Sequence, residues 1–407
     1  MDAESSAAAR GQPPSVTAAW VAWGIFYLII AGYVLAGTSH TVTPIYRQAA
    51  LNWFSGKPLY TDTGGGFIYL PQAILSFAPF AALPPLAGDL LWRLLTVTAY
   101  AYGVRTLADF VGRRWGVELF PAMTYLCIPL AWQAAVNGQA TLPVTALMIL
   151  SVVELANRRW WRATLWLILG LAVKPMITFL LLLAAALYRP MRARLLAGIA
   201  VLFVTPFLLQ SPRYVIEQYR GWSVMLQAAS DIGPWPHLSP QSRWSMTGPV
   251  SPWPHFFGLL ETVGIVIPPA EQTAIRVVAA TLTLVLCMVA VRKHCRVQGA
   301  VFLLAFHACF LTLFSPRTEP NSYSVVAPAI AVLFAQAWVV ERRLVAAIGL
   351  AVMDAGIART YEVGRILAPD TPPIWLAPLM CLCFFAYAVN CLLRPINHAA
   401  SATLDPA

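Results

Sequence analysis

Apolar runs of 17 or more residues recur along most of this chain. Each is long enough to cross a hydrocarbon layer of about 30 Å as a helix. Backbone groups in lipid must be satisfied within the segment itself, so repeated runs of this length dictate a stack of helices rather than open sheets. The composition agrees: 59% of the 407 residues are hydrophobic and 11% charged, against roughly 25% charged in soluble domains. The expected fold class is all-α, a polytopic integral membrane protein with about 10–12 membrane segments.

A net charge of +10 raises the question of nucleic acid, but the basic residues cluster at the ends of apolar runs. Arg113 with Arg114, Arg158 with Arg159 and Arg162, Arg189 with Arg192 and Arg194, Arg292 with Lys293 and Arg296, and Arg342 with Arg343 read as positive-inside turns. They report topology rather than a ligand, and no nucleic-acid partner is expected. The seven cysteines lie in or beside apolar runs, where a disulfide framework has no use. Neither they nor the six histidines show metal-ligand spacing. Residues 1–16 read as a disordered cytoplasmic N-terminus, 17–395 as one membrane domain, and 396–407 as a flexible tail.

Residues 163–188 are unusual because two arginine clusters that share one membrane side bracket them. A single crossing would put the clusters on opposite sides. The resolution is a hairpin of two short halves, each rising about 18 Å, that turns at Lys174-Pro175, where proline removes a donor and disfavours helix before it. Lys174 then stands at the tip, within the membrane profile. Residues 67–83, broken by Pro71 and Pro79 and ended by Pro84-Pro85, read as kinked or re-entrant. Residues 256–267 read as a span, and 37–66 and 210–254 as outer-face loops, the second rich in tryptophan and proline.

The polar residues gather beside the expected outer face. In residues 46–69, Tyr46, Ala49, Ala50, Trp53 and Phe54 recur at helical spacing, which describes an amphipathic helix lying at the interface. Tyr60, Asp62 and Gly64-Gly65-Gly66 follow it. Further groups are His40 with Tyr46 and Arg47, the triplet Asn137-Gly138-Gln139, Lys174-Pro175, and the stretch from Ser315 through Arg317 and Glu319 to Asn321. A lysine within the membrane is costly and marks a functional hypothesis, with a lipid phosphate as its natural partner. Arg317 or Arg47 is a matching guanidinium fork. Tyr46, Tyr60, Tyr69, Asn137, Gln139, Glu319 and Asn321 offer the mixed donors and acceptors that sugar hydroxyls require.

Taken in order, Gly56-x-Pro58-Leu59-Tyr60, Phe67-x-Tyr69-x-Pro71, Gly138-Gln139, the Lys174-Pro175 break and Ser315-Pro316 make the chain resemble glycosyltransferase family 87 over residues 17–345. That family belongs to the GT-C superfamily of multi-spanning enzymes, some of which are bacterial α-mannosyltransferases that use polyprenol-phosphate sugars. The resemblance implies a hexosyl transfer from a polyprenyl-phosphate donor to a lipid or glycan acceptor, at the periplasmic face of a bacterial inner membrane. Such enzymes usually carry an acid just after the first span, and residues 37–44 here have none. His40 and Asp62 are the candidate catalytic bases, with Glu319 or Asp231 able to fold in from later loops. No P-loop or GxGxxG is present, so no nucleotide site is expected. No cofactor is expected; a divalent cation is compatible with the chemistry, though acids are sparse. The alternatives are a flippase for a lipid-linked saccharide, a family member with altered catalysis, and a membrane scaffold in envelope assembly.

Overall fold

The computed structural model describes residues 15–37, 41–60, 66–231, 253–316, 318–369, 371 and 373–394. Every regular element among them is helical. The first helix, α1 (Val16–Leu35), is capped by the Ser15 hydroxyl, which accepts from Ala18 N at 3.1 Å. Ala19, Trp23, Phe26 and Ile30 form its buried stripe, while Ile25 and Leu28 on other faces are 53% and 67% exposed. An apolar helix that buries one stripe and bares the rest is suited to lipid rather than water.

The amphipathic helix expected after the first span is α2 (Thr43–Phe54), started by Pro44 and burying Tyr46, Ala49, Ala50 and Trp53. A 3-10 turn at Pro71–Ala73 leads into the short α3 (Ile74–Ala81). The chain then bends by 116° into α4 (Pro85–Trp115), as expected where the Pro84-Pro85 pair forbids helical continuation. The 31 residues of α4 end at Gly116 in the left-handed region, with Arg113 and Arg114 in the last turn. It packs on α5 (Phe120–Val136) and on α6 (Thr141–Ala156). At Gly103 the backbone of α4 comes so close to α6 that an added Cβ would lie 3.0 Å from Ala146 Cα, the small-residue contact by which membrane helices approach one another.

The short-hairpin expectation is met by α7 (Trp160–Val173) and α8 (Thr178–Leu187), joined through extended Lys174 and a 3-10 turn at Pro175–Ile177. The rings of Trp160 and Tyr188, at the two open ends, lie 5.7 Å apart. Ile177 folds back against Gly170. Then follow α9 (Met191–Val204), α10 (Pro212–Asp231) and α11 (Phe256–Thr262). Two of these correct the sequence reading. Within residues 210–254, read as a loop, α10 is a 20-residue helix; its alternation of aromatic and charged residues is that of a helix lying along a surface. Residues 256–267, read as a span, hold only the 7-residue α11, because Gly264 turns at φ +82° and Pro268-Pro269 enforces extended backbone.

The remaining helices are α12 (Pro269–Lys293), α13 (Arg296–Phe314), α14 (Ala327–Ala335), α15 (Leu344–Ala358), α16 (Thr360–Leu367) and α17 (Leu376–Leu393). Among the described residues, six helices are long and apolar enough to cross a membrane, eight if each of two bent pairs is one span, and the shorter apolar helices include α5, α6 and both halves of the hairpin. The chain is a multi-pass all-α membrane protein, its core built by α4, α5, α6, α13 and α14.

Candidate functional site

Four separate segments bring their polar side chains together at one end of this core. Tyr46 of α2 donates to Gln139 Oε1 at 3.4 Å, and its hydroxyl lies 3.1 Å from that of Tyr69. Gln139, in the turn between α5 and α6, donates in turn to Glu319 Oε2 at 3.4 Å. Asn321 Nδ2 reaches the same oxygen at 2.6 Å. The Glu319 carboxylate also caps the 3-10 turn Pro320–Val325 by accepting from Ser322 N, while Ser322 Oγ accepts from Glu319 N at 3.3 Å. These bonds fix the carboxylate before any ligand arrives.

Lys174, at the hairpin tip, donates to Thr141 Oγ1 at 2.9 Å and lies 5.9 Å from the centroid of the Tyr69 ring. Glu319 is within electrostatic reach of Lys174, Tyr46 and Tyr69. Burial pushes the hydroxyls of Tyr46 and Tyr69 well above the usual phenol range, so both remain neutral hydrogen-bonding groups. Asn321 Oδ1 is buried and has no hydrogen-bond partner among the described residues. The cluster thus combines a cation, a fixed carboxylate, two amides and two phenols, with one acceptor unsatisfied. Such a set can hold a phosphate on one side and sugar hydroxyls on the other.

Not every predicted residue joins it. Tyr60 donates to Tyr69 O at 2.6 Å and so fastens the loop rather than presenting its hydroxyl. The Asn137 carbonyl accepts from Val42 N at 3.0 Å, tying the α5–α6 turn to the start of α2. Arg47 Nη1 is bound to Leu83 O at 2.5 Å, at the end of α3. His40, Asp62 and Arg317 lie outside the described residues, as does the side chain of Asp231. α10 is tied to the segments flanking the group: Gln218 Oε1 accepts from Leu59 N at 2.9 Å, and Tyr219 donates to Gln72 Oε1 at 3.0 Å.

Behind the Tyr46 ring is a cavity of about 340 Å³ lined by Thr41, Thr43, Arg47, Asp89 and Trp92, with Tyr46 as the shared wall. Asp89 pairs with the fully buried Arg93. Arg93 also donates to Thr41 Oγ1 at 3.0 Å, to Ala135 O at 3.1 Å and to Val136 O at 2.8 Å. It therefore caps the C-terminus of α5 and seats the segment that follows α1. The sequence reading passed over Asp89, Arg93 and Thr141. Opposite charges four apart at the head of an apolar helix were the available signal for the first two. Among the described residues no three His, Cys, Asp or Glu side chains converge as a metal site.

No curated protein matches the chain. Among solved structures, ArnT from Cupriavidus metallidurans in the apo state is similar at a TM-score of 0.40 and 16% identity, over 93% of this chain and 77% of that one. The same protein bound to undecaprenyl phosphate gives 0.40 and 15%, with the same coverage. The model of Glycosyltransferase family 87 matches residues 67–316, more than half of the chain and inclusive of Tyr69, Gln139 and Lys174, and on that match the chain belongs to glycosyltransferase family 87.

Proposed function

We propose that this family member transfers a hexosyl unit, read as mannose, from a polyprenyl-phosphate donor to a hydroxyl of a lipid or glycan acceptor, at the periplasmic face of a bacterial inner membrane. The observation that carries the reading is Lys174: a half-buried cation at the tip of a hairpin, between Thr141 and Tyr69 and within electrostatic reach of Glu319. A cation at that depth is suited to a lipid-borne phosphate.

In this reading the acceptor oxygen attacks the anomeric carbon and its bond forms there. The bond from that carbon to the phosphate oxygen breaks, and the phosphate leaves with the electron pair, its charge met by Lys174. The acceptor proton passes to a base, for which His40 and Asp62 are the candidates. Arg317 supplements the phosphate site. Gln139, Asn321 and the fixed Glu319 carboxylate orient the hydroxyls, with the unpaired Asn321 Oδ1 taking one of them. Tyr46 and Tyr69 form the apolar floor with polar tips. A GT-C architecture accords with this arrangement.

The test uses full-length protein in lipid nanodiscs, radiolabelled polyprenyl-phosphate mannose or glucose, and an extract of envelope lipids and glycans as acceptor. Lys174→Ala removes a charged donor from the departing phosphate, and transfer should fall roughly 10- to 150-fold while the protein stays in the membrane. Equal transfer by wild type and variant would remove Lys174 from the reaction and with it the support for this reading.

A further inference from the structure

The arginine turns, taken so far only as marks of topology, converge on a second cavity. It has a volume of about 330 Å³ and sits at the open end of the hairpin. Lys174 occupies the other end, about 21 Å away along the 14 residues of α7. Three turns form its mouth: Arg158 comes from the α6–α7 turn, Arg189 from the α8–α9 turn, and His294 with Arg296 from the α12–α13 turn. Trp160 and Tyr188 supply flat walls.

These charges are not spent on the protein. Arg159 and Arg162 approach Glu154 at 3.7 and 4.0 Å, yet the guanidinium groups of Arg158, Arg189 and Arg296 have no ion-pair or hydrogen-bond partner among the described residues. His294 is committed, with Nε2 3.0 Å from Leu392 O and Nδ1 3.4 Å from Gln298 Oε1. Arg114 Nη1 reaches Cys295 Sγ at 2.5 Å and adds a fourth guanidinium beside the lining. The backbone at Arg158 turns at the cavity mouth. Its φ is +57°, and Arg159 N closes on Glu154 O at 2.9 Å. That is the helix-ending position glycine suits best, and Arg342 adopts the same φ of +57°.

Three free guanidinium forks at one apolar-walled opening match a phosphate, whose oxygens accept paired N–H donors. Helix ends at a membrane boundary are where such basic pockets meet anionic headgroups. We infer that this cavity binds a phosphate group, carried by an anionic phospholipid or arriving as inorganic phosphate, and that its occupant ties the legs of the hairpin to the α12–α13 turn.

The decisive variant is Arg158→Asn/Arg189→Gln/Arg296→Gln. Asparagine tolerates the left-handed backbone, and all three side chains are exposed, so the fold is retained. Arg113→Gln/Arg292→Gln/Lys293→Gln removes equal charge from side chains that do not line the cavity. Full-length protein in phosphatidylcholine nanodiscs doped with phosphatidylglycerol is released for native mass spectrometry. In a second arm, inorganic phosphate is titrated against protein in phosphatidylcholine alone, with thermal unfolding as readout. Wild type should retain phosphatidylglycerol, or be stabilised by phosphate, at least about tenfold more readily than the cavity variant, and the control should behave as wild type. The arm that responds identifies the source of the phosphate. If the cavity variant matches wild type in both arms, or the control loses as much, no specific site exists there.

Discussion

Arg93→Leu keeps a long apolar side chain in place but removes every donor that Arg93 directs to Asp89, Thr41, Ala135 O and Val136 O. The Asp89 side chain is 14% exposed and that of Arg93 is 0%, so the carboxylate is left unpaired on the cavity wall and largely shielded from water. Breaking a buried pair in this way costs about 3–5 kcal/mol. Two carbonyls at the end of α5 lose their partner as well, at about 1 kcal/mol each. The second variant separates these terms. Asp89→Asn/Arg93→Leu removes the stranded charge and should recover about 2 kcal/mol relative to the single change. Reversible unfolding of the purified protein in mixed micelles, titrated with sodium dodecyl sulfate, reads both. A loss below about 1 kcal/mol for Arg93→Leu, or a double variant no more stable than the single, would refute the account of Arg93 as the buried tie among α4, α5 and the start of α2.

Gly138 has φ +63°, and a Cβ there would lie 2.6 Å from Thr43 Cγ2 and 3.3 Å from Arg93 Cζ. Gly138→Ala should destabilise by about 1–3 kcal/mol and raise KM for the donor by displacing Gln139; wild-type stability and kinetics would show the turn to be slack. His255 caps α11 by accepting from Gly258 N at 2.9 Å, and burial, aided by Arg276, holds its pKa down to about 4. With an unfolded value near 6.5, the unfolded chain binds the proton more readily, so this stability is complete above about pH 6.5 and is lost as pH falls toward 4, by about 3 kcal/mol. His255→Asn retains a capping acceptor and should flatten that slope in pH-dependent unfolding; an unchanged slope would assign it to another group.

Particular residues show how far the sequence could be read. The hairpin was legible because two arginine clusters cannot share a side unless the chain between them turns back, and Lys174-Pro175 is the natural place to turn. The face of α2 was legible from helical spacing alone. Membership of Lys174, Gln139, Tyr46 and Glu319 in one polar end was readable only as a shared side of the membrane, since the bonds that join them span up to 180 positions. α10 stayed hidden because its aromatic residues resemble an interfacial loop in composition. Residues 256–267 misled because a β-branched apolar run carries hydropathy without helical continuity. Asp89 and Arg93 escaped because opposite charges four apart inside an otherwise apolar helix look like an ordinary surface pair until the partners of Arg93 in other segments are seen.

The two halves of the hairpin, Trp160–Val173 and Pro175–Leu187, reach about 20 Å at 1.5 Å per residue, against a hydrocarbon layer of about 30 Å. Lipid around them must therefore thin, or water must descend to meet the tip. Either adjustment draws the neighbouring headgroups toward the level of the Lys174 ammonium. A long-tailed phosphate can then reach that charge by sliding sideways within its own leaflet, without being lifted out of the bilayer. On the proposed function, the shortness of the hairpin would serve as an entrance for lipid, and bilayer thickness would bear on access to the site.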